Sequence, residues 1–63
     1  MTITLTYDAG EAKTEKWLGM NAPAINQAGF MQFHSLDGRL VSMIPVPRVI
    51  RLDFEGNLVL VAH

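Results

Sequence analysis

Three arginines in the C-terminal half of the chain are its best candidates for binding chemistry. Arg39, Arg48 and Arg51 lie on or beside segments that read as neighbouring strands, and a planar guanidinium binds a carboxylate or a phosphate through two parallel hydrogen bonds. Together they could bind a small anionic ligand, such as a nucleotide, between subunits. Arg51 lies close to Asp53, so ordinary charge pairing on a sheet surface is the alternative that we favour.

Two aromatic side chains are candidates for the same binding role. Trp17 and Phe30 could stack against the bases of a nucleotide or of single-stranded nucleic acid. Phe30 and Phe33 have opposite parity, so they lie on opposite faces of a strand and at most one belongs to the core. Aromatics more often fill a small core or an interface, and a net charge of −1 with a pI near 6.0 makes nucleic acid an unlikely partner.

Catalytic and metal-binding chemistry has little support. His34 and His63 are the only histidines, and the chain has no cysteine, so a zinc site would lack the further ligands that it needs. Ser35 and Ser42 lie outside any G-x-S-x-G nucleophile pattern. We therefore expect no enzyme activity, no metal site and no cofactor.

The elements that must position these residues are strands. Residues 2–7 alternate threonine with Ile3, Leu5 and Tyr7, which is typical of a strand with one buried face. Asp37-Gly38 and Gly56-Asn57 each separate two apolar runs and predict hairpin turns. With a bend or tight turn at the prolines of residues 44–47, the C-terminal half becomes a meander with predicted strands at 29–36, 39–44, 48–55 and 58–62.

Residues 50–55 carry the clearest alternation of the meander. Ile50, Leu52 and Phe54 are expected to face the core, whereas Arg51, Asp53 and Glu55 are expected to face water.

The segment between the first strand and the meander is open to two interpretations. Residues 11–18 could form a short helix, with Asp8 as its N-cap and Gly19 beyond its end, or a strand that pairs with the first one. Their Ala, Lys and Glu content favours the helix. Residues 19–28 mix Gly, Pro and Asn and read as a long loop.

Together these elements predict a single, mainly β domain over residues 1–63. We expect a small antiparallel β-barrel or bent sheet of about five strands and SH3-like size, with one short helix or extra hairpin near residues 11–18. A strand, an insertion and a meander broken by a proline turn resemble the arrangement of Sm-like and SH3-like barrels.

The last predicted strand suggests self-association. Leu58 and Leu60 lie on one face and Val59 and Val61 on the other, so both faces are apolar, and a chain of 63 residues has little protein with which to cover both. Only 17% of the residues are charged and 49% are hydrophobic. A central strand of a closed barrel is the alternative.

We therefore expect a non-enzymatic binding or assembly module that forms a homo-oligomer through apolar strand surfaces, with a protein as its partner. An oligomer that binds a small anionic ligand and a barrel that binds single-stranded nucleic acid are the alternatives. No apolar run reaches the length of a membrane span, and no secretory signal is visible. The expected location is cytoplasmic, without a membrane partner.

Overall fold

The chain folds into two antiparallel sheets. In this computed structural model the residues 1–61 are described, with side chains up to residue 59. Within them the strands are β1 Ile3–Asp8, β2 Ala12–Trp17, β3 Ala24–Ile25, β4 Phe30–His34, β5 Leu40–Pro45, β6 Val49–Phe54 and β7 Asn57–Val61. One sheet has the order β2-β1-β6-β7 and the other the order β3-β4-β5. The mainly β, antiparallel fold is confirmed, with seven strands in residues 1–61 rather than about five, but a closed barrel is not confirmed, because the strands form two separate sheets.

Strand β1 lies in the middle of the larger sheet. It pairs with β2 on one side and with β6 on the other, both antiparallel. Ile3 and Leu5 are completely buried, whereas Thr4 and Thr6, which alternate with them, are partly exposed. The predicted alternation is thus confirmed, and the threonine face contributes a hydroxyl pair between Thr6 and Thr14 of β2 (3.0 Å).

Strand β2 corrects the preference for a helix at residues 11–18. The segment forms the extra hairpin instead, in full register with β1 from Ile3 opposite Trp17 to Asp8 opposite Ala12. Its turn has Gly10 at a φ of 89°, and the Gly10 amide donates to the Asp8 carboxylate (3.0 Å). Ala, Lys and Glu have high helix propensities, but intrinsic propensity is a small energy term, and pairing with the neighbouring strand β1 outweighs it.

Strand β6 departs from the predicted alternation. The β1–β6 register shifts by one residue between Thr6 and Tyr7, so that Tyr7 lies opposite Val49 rather than Ile50. This bulge buries Val49 and leaves Ile50 only partly buried. Leu52 is in the core as expected, but Asp53, which was expected to face water, is 8% exposed.

The turns of the meander lie close to their predicted places. The turn at Asp37-Gly38 joins β4 to β5, and a 3₁₀ turn over Val46–Arg48, which includes Pro47, joins β5 to β6. The β6–β7 turn is one residue earlier than predicted. Its central residues are Glu55 and Gly56, with φ of 53° and 81°, a pair of positive values typical of a type I′ turn.

The segment 19–28, predicted as a loop, contains the two-residue strand β3, which pairs with β4, and a structural link between the sheets. The Met20 amide donates to the Met1 carbonyl (2.9 Å), and the amide of Asn21 donates to the His34 carbonyl at the end of β4 (2.9 Å). The Met20 side chain is buried in the core that both sheets share. That core consists of Ile3, Leu5, Met20, Met31, Phe33, Ile44, Val49 and Leu52.

Candidate association surface

Strand β7 is an edge of the larger sheet. It pairs with β6 on one side, and no other strand of the described residues lies on its second side. The β6–β7 register shifts between Leu52 and Asp53, which leaves Val59 as an extra residue. Leu58 and Val59 are 54% and 53% exposed. The side chains of Leu60 and Val61, which belong to the same prediction, lie outside the described ones.

Strand β5 is an edge of the smaller sheet and also exposes apolar side chains. Leu40, Val41 and Met43 are 48%, 37% and 43% exposed, although Ile44 of the same strand is buried. Sequence reasoning did not assign this strand to an interface. The available signal was an uncharged run from residue 40 to residue 46 in which Ser42 is the one polar residue.

Weak polar contacts hold Met43 on the outer face of the smaller sheet. The side-chain amides of Asn26 and Gln32 lie 3.8 Å and 3.7 Å from its sulfur. Thioether sulfur is a weak acceptor, so these contacts orient the side chain more than they stabilise it. Met43 therefore remains available to pack against an additional apolar surface.

The opposite edge of the larger sheet is different in character. Strand β2 exposes Lys13, Glu15 and Lys16 along its length, and charged side chains on an edge oppose pairing with another chain. By contrast, neither β5 nor β7 contains a charged residue. Charged side chains therefore protect the β2 edge, whereas no charged side chain protects the β5 or β7 edge.

The three candidate arginines lie on different elements of the fold. Arg39 precedes β5 and Arg48 follows it, so a strand about 20 Å long lies between them. Arg51 belongs to the other sheet, where its Nε donates to the Asp53 carboxylate (2.9 Å). This ion pair matches the alternative of ordinary charge pairing, and binding of an anion stays a prediction.

The candidate aromatics are placed in or near the core. The ring of Trp17 packs on that of Phe33, with centroids 5.1 Å apart and planes inclined by 44°. Phe33 is completely buried and Phe30 is partly buried, as their opposite parity predicts. Trp17 thus covers the core from β2, and stacking of a ligand on Trp17 or Phe30 stays a prediction.

The remaining polar candidates do not converge on one site. His34 ends β4 and is partly exposed, while His63 lies outside the described residues. Among residues 1–61 there is no cluster of three potential metal ligands, and no cavity is enclosed by them. In the same part of the chain, no helix is long and apolar enough to span a membrane.

Comparison of the chain with models of protein families, with curated proteins and with solved structures gives no match.

Proposed function

We propose that this chain is a non-enzymatic assembly module that associates with further copies of itself through apolar strand surfaces. The observation that carries the proposal is the edge strand β7, which is uncharged and exposes Leu58 and Val59 by more than half. An unpaired strand edge offers its backbone amides and carbonyls to another chain. Apolar side chains beside that edge add a favourable burial term.

The free energy gained by burying these apolar side chains is modest for a single strand. Full burial of a leucine or valine side chain contributes about 1.5 to 3 kcal/mol, and Leu58 and Val59 are already partly covered. Covering both would contribute about 2 kcal/mol per chain, before the cost of association. The backbone hydrogen bonds of a new strand pair supply orientation as well as further stabilisation.

A charge on β7 tests the proposal. We expect Val59→Lys to dissociate the assembly, because the ammonium group would have to be buried in the interface without a partner. The variant should keep the fold, since Val59 is exposed within the chain. Native mass spectrometry of wild type and variant over a range of concentrations measures subunit number directly.

The matched control is Ala12→Lys. It adds the same charge at an exposed position on β2, the opposite edge of the same sheet, and should leave the subunit number unchanged. A wild-type protein that is monomeric at every concentration, or a Val59→Lys variant that keeps the wild-type mass, would contradict the proposal.

A further inference from the structure

Two apolar edges, one in each sheet, are available on every copy. Strands β5 and β7 contain six and five residues, so they are similar in length, although each has one bulged residue, Val41 and Val59, and β5 ends in Pro45, which has no amide to donate. Both are uncharged and both expose apolar side chains, Leu40, Val41 and Met43 on β5 and Leu58 and Val59 on β7. A two-fold contact of β7 with β7 would leave the β5 surface exposed to water.

The charges next to these strands favour contact between unlike edges. Arg39 precedes β5 and Arg48 follows it, while Glu55 lies two residues before β7. Either direction of β7 along β5 therefore places Glu55 of one copy close to an arginine of the next. Arg39 and Arg48 are exposed and form no ion pair within the described residues. The Glu55 side chain is 56% exposed, although its carboxylate also accepts from the Thr2 amide (2.7 Å) and lies 4.0 Å from the N-terminal ammonium group.

A contact of β7 with β7 lacks this complementarity. In a parallel pair the two Glu55 carboxylates would lie side by side and repel each other, and in an antiparallel pair each would lie beyond the far end of the partner strand. Like charges placed together at an interface cost affinity, whereas opposite charges fix its register. The arrangement of charges thus selects β5 as the surface that receives β7.

We propose that β7 of one copy docks against β5 of the next copy, so that the copies associate head to tail. The proposal rests on the self-association inferred above and assigns its second surface to Leu40, Val41 and Met43. A head-to-tail contact uses different surfaces on its two sides. It therefore closes into a ring where the rotation between copies allows it, and extends as a filament where it does not.

Mixing two defective variants tests this geometry. Val59→Lys damages the β7 surface and leaves β5 intact, whereas Met43→Lys damages β5 and leaves β7 intact. Each variant alone should be monomeric. An equimolar mixture should form a 1:1 heterodimer and nothing larger, because only one intact surface of each kind remains in the pair. Native mass spectrometry resolves this, since one isotopically labelled variant gives the heterodimer a distinct mass.

The outcomes distinguish the head-to-tail contact of β7 with β5 from self-association alone. If Met43→Lys keeps the wild-type mass while Val59→Lys is monomeric, self-association stands and the head-to-tail contact is wrong. Two monomeric variants that fail to form a heterodimer would also overturn the head-to-tail contact. If both variants keep the wild-type mass, both proposals fail.

Circular dichroism and thermal unfolding check that each variant is folded. Should a lysine variant unfold, Val59→Thr and Met43→Gln replace the pair. These substitutions remove apolar surface without adding a charge, and the same mixing experiment then compares association constants. Each variant alone should associate at least tenfold more weakly than the mixture, and equal constants would contradict the proposal.

Discussion

Asp37 organises the turn between β4 and β5. Its carboxylate accepts hydrogen bonds from the Ser35 hydroxyl and from the Arg39 amide, the latter at 3.2 Å. The hydrogen bond from Ser35 is the larger cause that lowers the pKa of Asp37 from its ordinary value of 3.8, followed by the bond from Arg39. Because donors that face a carboxylate favour its charged form, this turn is more stable when Asp37 is ionised.

The lowered pKa of Asp37 determines how the stability of the fold changes with pH. A carboxyl group whose pKa is lower in the folded state stabilises the fold at pH values above its unfolded pKa, and the contribution is lost as pH falls through the folded pKa. We expect Asp37→Asn to lower the melting temperature near neutral pH. The difference from wild type should close below pH 3.8. Thermal unfolding followed by circular dichroism over this pH range measures both effects.

The Ser35→Ala variant is the companion to this experiment. It removes the leading cause of the lowered pKa of Asp37 while the carboxylate remains, so it should reduce the pH dependence without abolishing it. A difference between wild type and Asp37→Asn that is the same at neutral and acid pH would show that the charge of Asp37 does not stabilise the turn.

At the scale of elements, the β6–β7 turn places a glutamate in the left-handed region of φ. Glu55 has a φ of 53°, a conformation that costs most L-residues about 1 to 2 kcal/mol. Two hydrogen bonds offset this cost. The Thr2 amide donates to the Glu55 carboxylate (2.7 Å), and the Glu55 amide donates to the Thr2 carbonyl (2.8 Å). The turn is therefore tied to the start of β1.

Two substitutions of Glu55 separate backbone strain from the side-chain hydrogen bond. Glu55→Ala and Glu55→Asn both lose the bond to the Thr2 amide, but asparagine adopts a positive φ more readily than alanine. We expect Glu55→Ala to be less stable than Glu55→Asn by about 1 kcal/mol. Urea unfolding at one protein concentration measures the difference. Equal free energies of unfolding would contradict the assignment of strain to this turn.

The elements that were predictable are those specified by neighbouring residues. The alternation of apolar residues with threonines specifies β1, and the pair Asp37-Gly38 specifies the turn between β4 and β5. The elements that were missed depend on residues far along the chain. Strand β2 exists because β1 offers a partner, and Met20 is buried where its backbone bridges Met1, just before β1, and Ser35, just after β4.

The candidate surfaces on β7 and β5 also differ in whether neighbouring or distant residues specify them. The exposed apolar character of β7 follows from its own composition, because Leu58 and Val59 have no polar neighbours in the strand after Asn57. The position of β5 at an edge follows only from the strand order. The bulge that moves Val49 into the core in place of Ile50 has no local signal, because it arises from the pairing of β6 with β1.

At the scale of the whole molecule, self-association would make stability depend on protein concentration. A partner that binds only the folded state stabilises it by mass action, so the melting temperature of the wild type should rise by a few degrees for each tenfold increase in concentration. The melting temperature of Val59→Lys should stay constant. Differential scanning calorimetry at several concentrations measures both, and a wild-type value that does not vary would contradict self-association.

The pairing of β1 with β6 also determines when the chain can fold. Ile3 lies opposite Phe54, so the middle of the larger sheet joins residues from nearly opposite ends of the sequence. Proteins dominated by such distant contacts fold slowly, on the order of milliseconds to seconds. During synthesis β1 cannot pair with β6 until β6 has left the ribosome. Until then the β1–β2 hairpin exposes Ile3 and Leu5, which the core of the folded protein covers completely.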